Sequence, residues 1–513
     1  MQIRRLLLVA ASIAATAAIA HAQSVDDPVQ WRGVALARAL AAADTITDPY
    51  RRAETLASIA RVQTLIGESA TDRTIHQALA AVEQIREPAF RDWVLNDIVL
   101  AQIAAEDLAG ARETANRIEA KRQQGAALVQ IATVQVRAGN FAGAQQTAAA
   151  IREREAKSEI LRQLVSIAAA RGNLANARDM LREIDDPFYQ ALAAGDIAVA
   201  EVRLGHNDRA DALVGRVRRA DRAQVYGRIA LARAEQGDSS GAAATLQKID
   251  DDLHRAAMQG RLAASRAVAG DATRAKQMFE TAIATVDAFP REPDRRALTL
   301  AQLGRLQALS GDRAAAVQTL AQALREAEKL ERGDQREDTL DHIARGMARA
   351  GDSAGALQTA LRMNDRVARA LLVRDVVTMQ TNADSSSAAA SAAEFADPLI
   401  EAAAQFGVLG MQLLRATPLS QETIEAARRA VRKIEEKQPK PAAFAALAAA
   451  RVKTGDVDQG TSIFKEALES ADAIARSDQR AAAYVDMVAA LNDRLVFLGQ
   501  PVEARKEESR ERF

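Results

Sequence analysis

The sequence predicts an all-α fold, a solenoid of stacked antiparallel helix hairpins, and three observations predict it. A Gly-Asp or Gly-Asn step recurs at Gly139-Asn140, Gly172-Asn173, Gly237-Asp238, Gly270-Asp271, Gly311-Asp312, Gly351-Asp352 and Gly455-Asp456, with a variant at Gly205-His206. A small residue follows five positions after the glycine, namely Ala144, Ala177, Ala210, Ala242, Ala275, Ala316, Ala356 and Gly460. The composition is helical: 48% hydrophobic with alanine as filler, 27% charged, 3% aromatic and 11 prolines in 513 residues. Alanine is the best helix former, no run alternates convincingly like a strand, and self-similarity at a fixed period marks stacked supersecondary units.

Residues 1–22 come first and stand apart from the fold. Arg4 and Arg5, an apolar run from Leu6 to Ala20 and the small-x-small pattern Ala20-His21-Ala22 read as a secretory signal peptide. The run is short for a membrane span. Its removal takes away Arg4 and Arg5 and leaves about two net negative charges. A nearly neutral chain of this kind argues against nucleic acid as a general partner. The absence of cysteine suits a chain entering an oxidising compartment and excludes a lipid anchor on an N-terminal thiol. The expected location is the periplasm, with secretion as the other destination, and no integral membrane segment remains after cleavage.

The repeats occupy residues 23–380. The anchors from Gly139 through Gly270 are spaced 33, 33, 32 and 33 residues, enough for two helices of three to four turns and two short turns. Upstream of each turn an aliphatic and a small residue sit together, as in Ile59-Ala60 before Gly67, Ile131-Ala132, Ile197-Ala198, Ile229-Ala230 and Ile343-Ala344. With Leu56, Leu128 or Leu340 three residues earlier they form the i, i+3, i+4 stripe of a buried helix face. The glycine closes that helix in the left-handed region, and the Asp or Asn after it accepts from the first amides of the next. The second helix ends near Ile118, Ile151, Ile184 or Ile249, often before acidic residues or proline, as in Ile184-Asp185-Asp186-Pro187. The gaps of 41 and 40 residues after Gly270 and Gly311 add two helical turns without rotating the apolar face.

Residues 381–396, with "TNADSSSAAASAA", read as a low-complexity linker or degenerate repeat. In the C-terminal repeats, 397–505, Pro398 to Leu414 and Ser420 to Lys437 read as a hairpin ended by Pro439 and Pro441. Gly455 marks another unit, and Gly499 with Ala504 starts a truncated one. The charged tail 506–513 reads as a polar cap or a frayed end.

The module resembles the tetratricopeptide repeat. The stretch "LAQLGRLQALSGDRAAAVQTLAQAL" matches best, with Gly304 as the small first-helix residue, Gly311 at the turn and Ala316 in the second helix. The likeness runs over about 48–380 and 397–505, departing from the pattern in its scarce aromatics and in a first-helix small residue that is mostly alanine. HEAT and Sel1 hairpin solenoids share these features. The resemblance implies a right-handed superhelix whose concave groove is lined by first-helix residues. On that register Arg61, Arg305 and Arg345 stand six before the turn; Asn96, Arg162 and Asp341 stand ten before; Arg203 stands two before, with Arg137 and Arg349. Guanidinium forks so spaced suit carboxylates or the backbone of an extended peptide, while charged helix faces commonly meet only solvent.

Signals for chemistry are weak. Gly237-Asp238-Ser239-Ser240-Gly241 and Gly351-Asp352-Ser353-Ala354-Gly355 match the G-x-S-x-G spelling of a hydrolase elbow, which requires a strand before it and a helix after it. Both copies fall at a helix-helix turn, where a cap is the plainer reading. His76, His206, His254 and His342 form no metal-binding spacing, Asp250-Asp251-Asp252 lacks a calcium loop's pattern, and no phosphate cradle or cofactor motif occurs. The expectation is a non-enzymatic exported scaffold that binds a protein or an extended peptide, in an envelope or polysaccharide-export assembly. The alternative is a glycan-binding superhelical cell-wall enzyme or its accessory subunit. Oligomeric state is not readable.

Overall fold

The computed structural model describes residues 28–289, 291–331, 333–380, 395–414, 419–492, 496–497 and 500–501. The expected signal peptide, the low-complexity segment from 381 to 394, Gly499, Ala504 and the charged tail lie outside the described residues. The chain is all-α. Its helices are α1 (Pro28–Asp44), α2 (Pro49–Leu65), α3 (Thr71–Val82), α4 (Pro88–Ala104), α5 (Leu108–Asn116), α6 (Lys121–Arg137), α7 (Phe141–Ala150), α8 (Arg154–Ala170), α9 (Leu174–Arg182) and α10 (Pro187–Arg203). There follow α11 (Asn207–Val214), α12 (Arg222–Glu235), α13 (Ser239–Leu246), α14 (Asp252–Val268), α15 (Ala272–Asp287), α16 (Pro293–Leu309), α17 (Arg313–Ala327), α18 (Asp334–Ala350), α19 (Ser353–Ala360) and α20 (Arg366–Met379). The series ends with α21 (Pro398–Leu414), α22 (Gln421–Lys433), α23 (Pro439–Lys453), α24 (Val457–Asp472) and α25 (Ser477–Ala490). Val496–Phe497 then pairs antiparallel with Gln500–Pro501.

Each turn is built as its residues require. Gly237 takes φ +83°, its amide bonds to the Ala234 carbonyl at 3.0 Å and the Asp238 amide to the Arg233 carbonyl at 2.9 Å, the two bonds of a Schellman closure. The Asp238 carboxylate then accepts from the Gly241 amide at 2.8 Å and starts α13. Asn140, Asp312 and Asp352 repeat this with Gly143, Ala315 and Gly355 at 2.9, 3.2 and 2.9 Å. The turn between α4 and α5 has no glycine: Glu106 holds φ +61° ahead of the capping Asp107, so a hairpin turn is hidden behind Glu-Asp spelling.

First helices mostly run 17 residues, about 25 Å, while second helices vary. α11 and α13 have 8 residues and α15 and α17 have 16 and 15, so the two extra turns after Gly270 and Gly311 lengthen only second helices. Small residues bring the paired backbones together. A Cβ on Gly304 would stand 2.6 Å from Leu320 Cγ, and one on Gly346 2.8 Å from Leu320 Cδ2, so Leu320 of α17 fills the space both glycines leave. Buried polar pairs fasten hairpins from within: Thr147 bonds to Gln135 at 2.8 Å, and Arg233 to Thr245 at 2.5 Å.

Pro439 and Pro441 do not end a hairpin as expected. They open α23, with Pro439 in its first turn, where a missing amide hydrogen costs nothing.

The helices fall into two compact units. One holds the described residues from 128 to 372, in which α8, α10, α12, α14, α16 and α18 stack side by side, each followed by its second helix. The other combines the residues up to 127 with those from 373 onward. Its first helices α23, α25, α2 and α4 stack in that order, so helices far apart in the sequence are neighbours.

The join is a hairpin made from both ends. α25 packs on α23 and α2 as a first helix, and its second helix is α1, from the other end of the chain. Trp31 of α1 is 0% exposed and stacks on Phe464 with ring centroids 4.7 Å apart and planes 8° apart. The Arg38 guanidinium bonds to Asp472, and the Tyr484 hydroxyl of α25 donates to the same carboxylate. Arg32 donates to the Leu491 carbonyl at 3.1 Å, and Thr45 to Ser477 at 2.9 Å. The sequence carried a sign of this arrangement. Ile46-Thr47-Asp48-Pro49 after α1 repeats Ile184-Asp185-Asp186-Pro187 after α9, which is the ending of a second helix.

Candidate functional site

The ionisable residues expected to line a groove all lie on first helices, those of the two units taken in turn. In the unit that joins the described residues up to 127 with those from 373 onward, Arg61 of α2 is exposed and Asn96 of α4 is half-buried. In the other unit, Arg162 of α8 lies 3.7 Å from Asp196 of α10, whose carboxylate also takes the guanidinium of Arg228 on α12. Arg203 pairs with Glu235 at 3.2 Å. Asp341 and Arg345 hold each other within α18 through two bonds of 3.0 and 2.9 Å, and Arg305 of α16 is half-buried. Two of these guanidinium groups, Arg162 and Arg203, are thus matched by an acid one repeat further on, which ties α8 to α10 and α10 to α12.

Two clusters on first helices, one in each unit, combine exposed aromatics with carboxylates. In the first, Tyr50 of α2 packs on Phe90 of α4 at a centroid distance of 5.1 Å, and Phe90 meets Trp93 edge-on at 6.3 Å. Phe90 is 47% and Trp93 55% exposed, in a chain with only 2 tryptophans, the other wholly buried. Glu54 and Asp97 stand beside them. Partial burial, then the nearby Asp97 charge, raises the Glu54 carboxyl above its usual range, and Arg51 offsets part of this. Burial raises Asp97, with Arg61 offsetting part. Arg51 is itself held by Asp478 of α25 at 2.5 Å, and Arg476 with Arg51 brings the Asp478 carboxyl down to about 2.

The second cluster uses the same parts. Phe188 and Tyr189 open α10 edge-on to each other at 5.4 Å, Phe188 being 50% exposed. Glu155 and Glu159 of the neighbouring α8 face Tyr189 and raise its hydroxyl after burial itself has done so. Burial and the Glu155 charge raise Glu159, and Arg162 offsets part, as Arg61 does for Asp97. Neither cluster was read from the sequence. The available signal was an aromatic just after a helix-opening proline: Pro49-Tyr50, Pro88-Ala89-Phe90 and Pro187-Phe188-Tyr189.

The G-x-S-x-G stretches are helix caps. A Cβ on Gly241 would stand 2.0 Å from Asp238 Oδ2, and one on Gly355 2.2 Å from Asp352 Oδ2, so the second glycine makes room for the capping carboxylate. Ser240 donates to Asp238 at 3.1 Å, and helices flank both copies where an elbow needs a strand. Asp251, from the acidic run, caps α14 by accepting from the His254 amide at 2.9 Å. Among the described residues no group of three or more His, Asp and Glu could hold a metal ion, and no helix is long and apolar enough to cross a membrane.

No family model and no curated protein matches the sequence. Among solved structures the chain is similar to Ton1535 from Thermococcus onnurineus NA1 at 16% identity, covering 66% of this chain and 96% of that one, with a TM-score of 0.23. It is similar also to the signal transduction ATPase with a tetratricopeptide repeat sensor, PH0952 from Pyrococcus horikoshii (11% identity, 78% and 67% covered, TM-score 0.27). A third is the human IFIT1 dimer with PPP-AAAA (13% identity, 83% and 95% covered, TM-score 0.26). The fold itself rests on the hairpins of this chain: a 17-residue first helix, a left-handed glycine, a capping Asp or Asn and a small residue five positions on make it a tetratricopeptide-like helical repeat protein.

Proposed function

We propose that the chain is an exported scaffold that holds a protein partner or an extended peptide segment on the face formed by its first helices, in an envelope or polysaccharide-export assembly. The observation that carries the binding role is the pair of aromatic–carboxylate clusters. Buried cores of this chain are filled with alanine and aliphatic side chains, yet three of its few large aromatics, Phe90, Trp93 and Phe188, stand half in solvent on first helices. Large rigid rings at the surface give contact area at small entropic cost and mark interaction sites. Export rests on the pattern of residues 1–22, and the assembly on the resemblance of the repeat.

The test is photo-crosslinking in cells with a crosslinking residue placed in turn at Trp93, Phe188, Arg305 and Arg345, and at Glu280 on the exposed side of the second helix α15 as control. One protein captured from first-helix positions and not from Glu280 supports the scaffold. Equal capture everywhere, or cleavage of peptidoglycan by the purified chain, overturns it in favour of a spacer or a glycan-directed enzyme.

A further inference from the structure

We propose that each aromatic–carboxylate cluster is a subsite for a cationic side chain, lysine or arginine, of the bound polypeptide. This deepens the scaffold reading and rests on it. The chemistry of the two clusters is the same although their residues differ. In the first, the half-exposed Phe90 and Trp93 adjoin Tyr50, whose hydroxyl faces Glu54 and Asp97; in the second, the half-exposed Phe188 adjoins Tyr189, whose hydroxyl faces Glu155 and Glu159. An aromatic face attracts a cation through its quadrupole, and a carboxylate alongside supplies a hydrogen-bond acceptor and the opposite charge.

The carboxylates also lack what such a guest would bring. Glu54 and Asp97 are partly removed from water and repel each other, as do Glu159 and Glu155. The cations that face them are the chain's own arginines. Arg51 is already engaged by Asp478, and Arg162 is shared with Asp196. In the first cluster Arg61 offsets Asp97 while the arginine nearest Glu54 is shared with Asp478, and in the second the two glutamates have only the shared Arg162. A guest ammonium or guanidinium stacked on the ring would relieve the repulsion, while an acidic or neutral guest would not. The neighbouring guanidinium groups, Arg61 and Arg162, remain able to hold the guest's main-chain carbonyls.

Selection of random dodecapeptides on the full chain tests this. Enrichment of lysine and arginine is expected, with binding that weakens as salt rises. Trp93→Ala should weaken the selected peptides about threefold to thirtyfold, the range a desolvating cation–π contact supports. The pair Glu54→Gln with Asp97→Asn should do the same and abolish the preference for lysine over glutamine at one peptide position. Phe188→Ala should weaken by a similar factor the basic peptides that depend on the second cluster and leave those that depend on Trp93 unchanged. Glu54, Trp93 and Phe188 are exposed and Asp97 is half-buried, and unchanged helical circular dichroism and melting separate loss of binding from loss of fold. Peptides selected without basic residues overturn the cation subsites and leave the scaffold standing. Failure to select any peptide, with glycan binding instead, overturns both, and so does affinity indifferent to Trp93→Ala and Phe188→Ala alike in chains from which photo-crosslinking captures no protein.

Discussion

Replacing Trp31 by alanine tests whether the two ends of the chain make one hairpin. Trp31 lies wholly inside, its ring stacked on Phe464 of α24, while its own helix α1 packs on α25. Removing a buried aromatic from a packed core costs about 3–5 kcal/mol, of which about 0.5–1.5 kcal/mol belongs to the stacked pair. In a stack of repeats this loss falls on the units in contact. Amide exchange read by mass spectrometry should therefore rise in Val457–Asp472 and Ser477–Ala490, some 440 positions away in sequence, as well as in α1. A loss of 3 kcal/mol multiplies exchange through local opening by more than about a hundredfold. Phe464→Ala should give the same map. The double variant should fall short of additivity by the stacking energy, about 1 kcal/mol. If faster exchange in Trp31→Ala stays within residues 28–44, α1 is an appendage and the reasoning fails.

Three further outcomes follow from local geometry. Glu106→Gly should stabilise the chain by about 1 kcal/mol in urea titration, because Glu106 pays for φ +61° at a turn where the sister units use glycine. Gly304→Ala should cost about 1–3 kcal/mol, since its Cβ would stand 2.6 Å from Leu320 Cγ and Gly346 leaves Leu320 no slack on the other side. Tyr484 sets an alkaline limb. Burial and its hydrogen bond to Asp472 push its hydroxyl up to about 12, above its ordinary 10. The neutral form is therefore favoured by folding, and the stability it contributes is complete below pH 10 and lost as pH rises towards 12. Tyr484→Phe should be less stable by about 1 kcal/mol at pH 8 and lose less than the parent between pH 10 and 12.

Much of the fold is legible in the sequence because the repeat is written in residues with narrow conformational roles. The glycines announce left-handed closures, the next Asp or Asn announces a cap, and the insertion of two whole turns after Gly270 keeps the apolar face in register. Legibility fails where another residue takes the role at a cost, as Glu106 does, or where proline can be read in two ways. Pro439 looks like a stop and is a start, because proline cannot continue a helix that precedes it yet fits the first turn of the next, where an amide hydrogen has no intrahelical acceptor. It fails again for α1. Spacing relates neighbours along the chain, and a hairpin made from opposite ends has no spacing to read, so only the ending Ile46-Thr47-Asp48-Pro49 pointed to a second helix. The expected groove arginines could be placed on first helices by register. Their acid partners could not, since Asp196 and Glu235 reach them across a repeat boundary.

The closure and the first binding cluster are mechanically joined, and this gives one more prediction. Arg51, next to Tyr50, bonds to Asp478 at the start of α25, and α25 has α1 as its hairpin partner. A chain lacking residues 28–44 leaves the apolar side of α25 uncovered and loosens the helix that fixes Arg51. Released from Asp478, Arg51 is free to swing onto Glu54, whose carboxyl it already lowers from a distance. An internal guanidinium there would compete with a guest cation. Truncation should therefore weaken binding of basic peptides at the Trp93 cluster about tenfold while leaving the Phe188 cluster, in the other unit, at full strength. Adding Arg51→Gln to the truncated chain should restore part of the loss, because it removes the competitor without rebuilding the hairpin. Equal weakening at both clusters would mean that truncation acts by global unfolding. An unrestored Trp93 cluster in the Arg51→Gln chain would mean that α1 supports the rings directly.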